Sequence, residues 1–101
     1  MINFFKNLFK PGPDLSKLVN EGAVIIDVRS PGEYVSGHIA GSKNIPLVSI
    51  NKETPKIKNF KKPIITVCQS GARSRIARSI LMNAGVETYN GGGWMSLQNK
   101  I

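Results

Sequence analysis

The chain has 101 residues, 41% of them apolar, and carries 14 lysines and arginines against 6 aspartates and glutamates, for a formal net charge of +8. That length holds one domain around one core, and a lone cysteine, Cys68, excludes an internal disulfide and a zinc site built from several thiolates. The positive charge favours anionic partners without choosing among them.

The amino end reads Met1-Ile2-Asn3-Phe4-Phe5-Lys6-Asn7-Leu8-Phe9-Lys10. On a helix, Met1, Phe4, Phe5, Leu8 and Phe9 share one face, with Asn3, Lys6, Asn7 and Lys10 opposite. We take residues 1–13 as an amino-terminal aromatic and basic segment that packs on the domain or on a partner. Contact of residues 1–10 with a membrane surface is the less favoured alternative. No run approaches the roughly 20 apolar residues a membrane span needs, and the amino end lacks the uninterrupted apolar core of a secretory signal. The expected compartment is therefore the cytoplasm, where a free thiol also survives best.

Lys10-Pro11-Gly12-Pro13 forms a break, after which Asp14 caps a short helix with Leu15, Leu18 and Val19 on its apolar face and Gly22 at its end. Ala23-Val24-Ile25-Ile26-Asp27-Val28 is an unbroken apolar run closing on one acid, as in a strand buried on both faces of a parallel sheet. Ser30-Pro31-Gly32-Glu33 starts a helix with three agreeing features: an N-cap serine, a proline at the first helical position, and a glutamate that completes a capping box. Gly37 stops that helix. His38-Ile39 is expected as a brief strand, followed by a turning loop through Gly41 and Pro46. Val48 to Lys58 is expected as a helical stretch whose regularity Pro55 limits.

Lys52, Lys56, Lys58, Lys61 and Lys62 precede the next strand. Without interleaved aromatics they read as a solvated face that protects an aggregation-prone strand, and no nucleic-acid partner is expected. Pro63-Ile64-Ile65-Thr66-Val67 is that strand, and Cys68-Gln69-Ser70-Gly71-Ala72-Arg73-Ser74 follows it directly. Ile76, Ala77, Ile80, Leu81 and Ala84 then recur at helical spacing, with Gly85 placed as a C-cap. Val86 to Tyr89 is expected as a last short strand, Asn90 to Gly93 as a flexible turn, and Trp94 to Leu97 as the start of a terminal helix. Alternating strands and helices predict an α/β domain, over residues 14–101, with a mainly parallel sheet.

A cysteine between a strand and a helix N-terminus is placed to ionise. Loop N–H groups point inward and the helix dipole adds partial positive charge, both favouring the thiolate. Asp27 and Cys68 both end strands, so both are expected at the carboxyl edge of the sheet, where ligands bind in such folds.

The ordered set of motifs resembles the rhodanese-like domain. It comprises Asp27-Val28-Arg29, Glu33, the run His38 to Pro46, the loop Cys68 to Ser74, and Tyr89 to Trp94, and it covers about residues 14 to 98. The resemblance implies a three-layer α/β/α fold with a central, mainly parallel sheet. It also implies a sulfurtransferase that moves sulfane sulfur from a small anionic donor such as thiosulfate, through a persulfide on Cys68, to cyanide, a thiol or a protein acceptor. Such a reaction needs no metal and no organic cofactor.

In that scheme the amides of Gln69, Ser70, Gly71, Ala72, Arg73 and Ser74 bind the donor and the outer sulfur, with Gly71 letting the backbone curl. The Arg73 fork suits a donor oxyanion; alternatively it pairs with a loop-facing acid and shapes the turn. Ser70 and Ser74 either donate hydroxyl hydrogen bonds or satisfy the loop and the helix start. Arg75 and Arg78 read as surface charge that steers anions inward. Asp27 is expected to brace the active loop from behind, and Arg29 and Glu33 to form an ion pair at the helix start. His38, the only histidine, is expected in a framework role rather than as a partner of the cysteine. Trp94 is expected on the core, with a place bordering the site as its alternative.

Three other functions compete. A cysteine phosphatase of the related fold needs Cys-x5-Arg, whereas here the loop arginine arrives one residue sooner, as Cys68-x4-Arg73, with Ser74 in the arginine's place. A persulfide carrier or binding module would share the Cys68 chemistry but deliver sulfur to one partner protein. A redox sensor would lack a second cysteine to resolve a sulfenic acid.

Overall fold

A computed structural model of the chain describes residues 12–101. The amphipathic reading of residues 1–10 lies outside the described residues. The strands are β1 (Val24–Asp27), β2 (Lys43–Asn44), β3 (Ile64–Cys68) and β4 (Thr88–Gly93). The helices are α1 (Leu15–Asn20), α2 (Pro31–Ser36), α3 (Ile50–Lys58), α4 (Ala72–Asn83) and α5 (Trp94–Lys100). The four strands form one all-parallel sheet in the order β2-β1-β3-β4.

The central strands β1 and β3 are the unbroken apolar runs, and alternation of side chains sends their residues to two different cores. Ile26, Val28, Ile64 and Cys68 join Ile50 and Ile57 of α3 and Ala77 and Leu81 of α4. Ile25, Ile65 and Val67 join Ile39 and Leu97 of α5, with Leu15, Leu18 and Val19 of α1 packed against them. The result is the three-layer α/β/α arrangement. Ile26, Ile50, Ile64 and Ile65 are fully buried, and each such side chain contributes about 1.5–3 kcal/mol relative to exposure.

Local sequence accounts for the starts of α1 and α2. The Asp14 carboxylate accepts from Lys17 N–H at 3.1 Å. At α2 the capping box is complete: Ser30 Oγ accepts from Glu33 N–H, and Glu33 Oε1 accepts from Ser30 N–H at 3.1 Å. In α3 the helix continues through Pro55. Ile50 and Ile57, fully buried on either side of the proline, hold that helix to the core.

Three elements differ from expectation. The brief strand is Lys43–Asn44, not His38-Ile39, because Ile45 N–H reaches Asp27 O and Leu47 N–H reaches Val28 O, which lays this segment along β1. The last strand begins at Thr88, since Val86 N–H closes the end of α4 on Leu81 O at 2.9 Å. Asn90 to Gly93 is the second half of β4 rather than a flexible turn. A register shift places Thr66 opposite Asn90 but Val67 opposite Gly92, leaving Gly91 as a bulge. Glycine is required there: a Cβ at Gly91 would sit 2.8 Å from both Ile65 Cγ2 and Val67 Cγ1.

Candidate active site

Parallel pairing sets Asp27 against Val67 and Cys68 against Gly93, so β1, β3 and β4 deliver Asp27, Cys68 and Gly93 to one edge of the sheet. From Cys68 the chain turns through Gln69, Ser70 and Gly71 and enters α4 at Ala72. Gly71, the N-cap residue, has φ +108°, a conformation that favours glycine, and its α-carbon side faces Gly92 at a distance that leaves only ordinary contact for an added methyl.

This turn folds back over the sulfur. Gly71 N–H donates to Cys68 Sγ at 3.0 Å and Ser74 N–H at 3.4 Å, and Ser74 Oγ lies 3.5 Å from Sγ. Cys68 is only 1% exposed. Burial pushes the thiol pKa up, but its contact with the Ser74 hydroxyl and the hydrogen bonds from the N–H groups of Ser74, Gly71 and Ser70 outweigh it, and the thiol is held below its ordinary value. Gln69, Ser70 and Ala72 are exposed on the outer side of the turn, and Ser74 is fully buried beneath it.

Asn90 supports the turn, a role that sequence reading missed. Its Nδ2 donates to Gly71 O at 3.3 Å, and its Oδ1 accepts from Ser74 Oγ at 2.6 Å and from Gly92 N–H at 2.9 Å. The available signal was three successive glycines beside it, which in a strand mark close backbone approach.

Arg73 grips Glu33, Nη1 to Oε1 at 2.7 Å and Nη2 to Oε2 at 3.0 Å. This guanidinium, with the Ser30 N–H, holds the Glu33 carboxyl down at about 2, and the carboxylate raises Arg73 in turn.

The expected Arg29–Glu33 ion pair is replaced by Arg29–Asp27. Arg29 Nη2 meets Asp27 Oδ2 at 2.8 Å and Nε meets Oδ1 at 3.0 Å, with the residues 3% and 0% exposed. A buried guanidinium needs a carboxylate buried with it, and Glu33 lies at the surface. Arg29 touches Glu33 only through the main chain, donating to Glu33 O at 3.3 Å and to Gly37 O at 2.6 Å, and so ties α2 to the end of β1. Asp27 accordingly does not brace the Cys68 loop; its carboxylate accepts from the Arg29 main chain and side chain. Trp94 packs beside Gly37 with the Arg29 guanidinium 4.9 Å above its ring, and it shares a cleft with Gln69. His38 stacks on Tyr34 with ring centroids 3.8 Å apart, and its Nδ1 lies 2.7 Å from Tyr34 O.

Comparison with known proteins bears on the family and the fold. An uncharacterized protein of Bacillus subtilis, YqhL, is 40% identical over 81 residues, covering 78% of this chain and 64% of its own length. Thiosulfate sulfurtransferase GlpE of Pseudoalteromonas translucida is 40% identical over 73 residues, 72% of this chain and 69% of that protein. This chain thus spans about two thirds of the length of these relatives. Among solved structures, a rhodanese with anions from E. coli superposes with a TM-score of 0.68 at 30% identity, over 73% of this chain and 89% of that one. The rhodanese-like domain matches residues 13–100, and the chain belongs to that family.

Proposed function

We propose that the protein is a thiosulfate-type sulfurtransferase that works through a persulfide on Cys68. The observation that carries this reading is the sulfur's environment: a thiol at a strand end, held below its ordinary pKa by N–H donors at 3.0 and 3.4 Å and by the Ser74 hydroxyl. Sulfurtransferase activity at the level of the family, represented by relatives named thiosulfate sulfurtransferase, supports it.

In the first half-reaction the Cys68 thiolate attacks the outer sulfur of thiosulfate. The Sγ–S bond forms, the donor's S–S bond breaks, and its electron pair leaves with sulfite. In the second, cyanide or a thiolate attacks the outer sulfur of the persulfide, and the electron pair of that S–S bond returns to Sγ. Each step is a displacement by an anion, so the inward N–H groups stabilise charge at every stage without a proton transfer.

A second reading, a persulfide carrier that delivers sulfur to a partner protein, is favoured by one feature. Val48, 94% exposed, lines an apolar cleft with Val28, Pro31, Pro46, Leu47 and Arg73. A steady-state assay with thiosulfate and either cyanide or glutathione tests both readings. Sustained turnover that disappears in Cys68→Ser is the expected result. Persulfide formation with negligible turnover on either small acceptor favours the carrier, and turnover retained in Cys68→Ser refutes both.

A further inference from the structure

The donor's charged end needs a cation beside the loop, and Arg73 stands in the first turn of α4, whose Ser74 N–H faces the sulfur. The end-on fork of that guanidinium, one N–H from each terminal nitrogen, is occupied by Glu33. Glu33 is itself held, since its Oε1 accepts from Ser30 N–H and Ser30 Oγ, each at 3.1 Å. The ion pair also stands between two clefts. One, of about 310 Å³, is lined by Arg29, Glu33, Gly37, Gln69 and Trp94, and the other, of about 460 Å³, reaches Arg73. The partners are 38% and 36% exposed, so water screens their attraction and an incoming anion can exchange with it.

We propose that Glu33 is a specificity-determining residue that competes with the sulfur donor for Arg73, so that only a donor presenting two oxygens to the guanidinium fork engages it. The inference rests on the sulfurtransfer reading and adds how the donor gains the cation: its sulfonate end replaces the Glu33 carboxylate in kind by offering the same bidentate contact. A donor with a single charged oxygen meets a guanidinium that Glu33 continues to hold. In the resting molecule the carboxylate keeps the cation oriented over α2; with donor bound, the oxyanion takes the fork and Glu33 keeps its place through Ser30.

Glu33→Gln tests this, because the amide oxygen still accepts from Ser30 N–H and preserves the helix cap while the charge is lost. Persulfide formation is followed by intact mass as a function of thiosulfate concentration in four proteins: wild type, Glu33→Gln, Arg73→Ala and the double variant. The half-saturating thiosulfate concentration is expected to fall about threefold in Glu33→Gln, the scale of one exposed ion pair, and to stay unchanged between Arg73→Ala and the double variant. An unchanged or higher value in Glu33→Gln overturns the proposal. So does an equal fall in the Arg73→Ala background, which would mean that Glu33 acts by charge alone. The same four proteins are compared for protection of Cys68 by sulfate against iodoacetamide. If wild type forms no persulfide, the sulfurtransfer reading fails, while sulfate protection still decides whether Glu33 and an oxyanion compete for Arg73.

Discussion

Gly93 faces the Cys68 turn, and adding one methyl there tests how tightly β4 supports it. Gly93 has φ −69° and ψ 134°, values any residue adopts, so Gly93→Ala meets no backbone strain of its own. The added Cβ would lie 2.9 Å from Gln69 O, about half an ångström inside ordinary contact, with Ser70 Cα at 3.8 Å. The obstacle is a main-chain carbonyl in the first residue of the turn, so relief requires the turn to move. Overpacking of this kind costs about 1–3 kcal/mol, which for a domain of this size lowers the melting temperature by about 4–8 °C per kcal/mol. The displaced turn also carries the Gly71 and Ser74 N–H groups off the sulfur, and alkylation of Cys68 by iodoacetamide at neutral pH slows. Gly92→Ala is the control. Nothing lies within 4 Å of its Cβ position, but its φ is +78°, and placing alanine there costs about 1–2 kcal/mol without pressing on the turn. Gly92→Ala therefore loses stability and keeps Cys68 reactivity, whereas Gly93→Ala loses both. A Gly93→Ala protein that melts and alkylates like wild type refutes the tight contact.

Ser74→Ala removes the hydroxyl near Sγ and leaves the main-chain donors. With a hydrogen bond to a charged group worth about 1.5–3 kcal/mol at good geometry, and this contact being long, alkylation at neutral pH is expected to slow about three- to tenfold; an unchanged rate would assign the stabilisation to the N–H groups alone. Asp27→Asn breaks the buried pair with Arg29 and is expected to cost about 3–5 kcal/mol, read from chemical denaturation, and wild-type stability would show that the pair is dispensable. Glu33 titrates near 2 in the folded chain against an ordinary 4.5. Because the folded value is the lower, its ion pair stabilises fully above pH 4.5 and is lost as pH falls toward 2. Acid unfolding of Glu33→Gln is expected to lack that component, and identical acid profiles would contradict it.

The central strands and the cysteine turn were legible because local sequence determines them. β1 and β3 are continuous apolar runs, which only a doubly covered strand accommodates, and Ser30, Pro31 and Glu33 encode the start of α2 by themselves. Cys68, Gly71 and the helical repeat after it identified the strand–turn–helix. What stayed hidden depends on distant pairing. β2 has no apolar pattern, since Lys43 and Asn44 become a strand only by bonding along β1. Asn90 lies 16 residues from Ser74 and 19 from Gly71, and the glycines beside it mark a close backbone approach without naming those partners. Sequence proximity paired Arg29 with Glu33; burial instead committed Arg29 to Asp27 and left Glu33 open to Arg73.

Intact mass spectrometry after incubation with thiosulfate tests most directly whether the donor-lined thiol at the end of β3 accepts sulfur. Gain of one sulfur atom on Cys68, reversed by cyanide and absent from Cys68→Ser, is the result this mechanism predicts. An unchanged mass under saturating donor, or the same gain in Cys68→Ser, contradicts it.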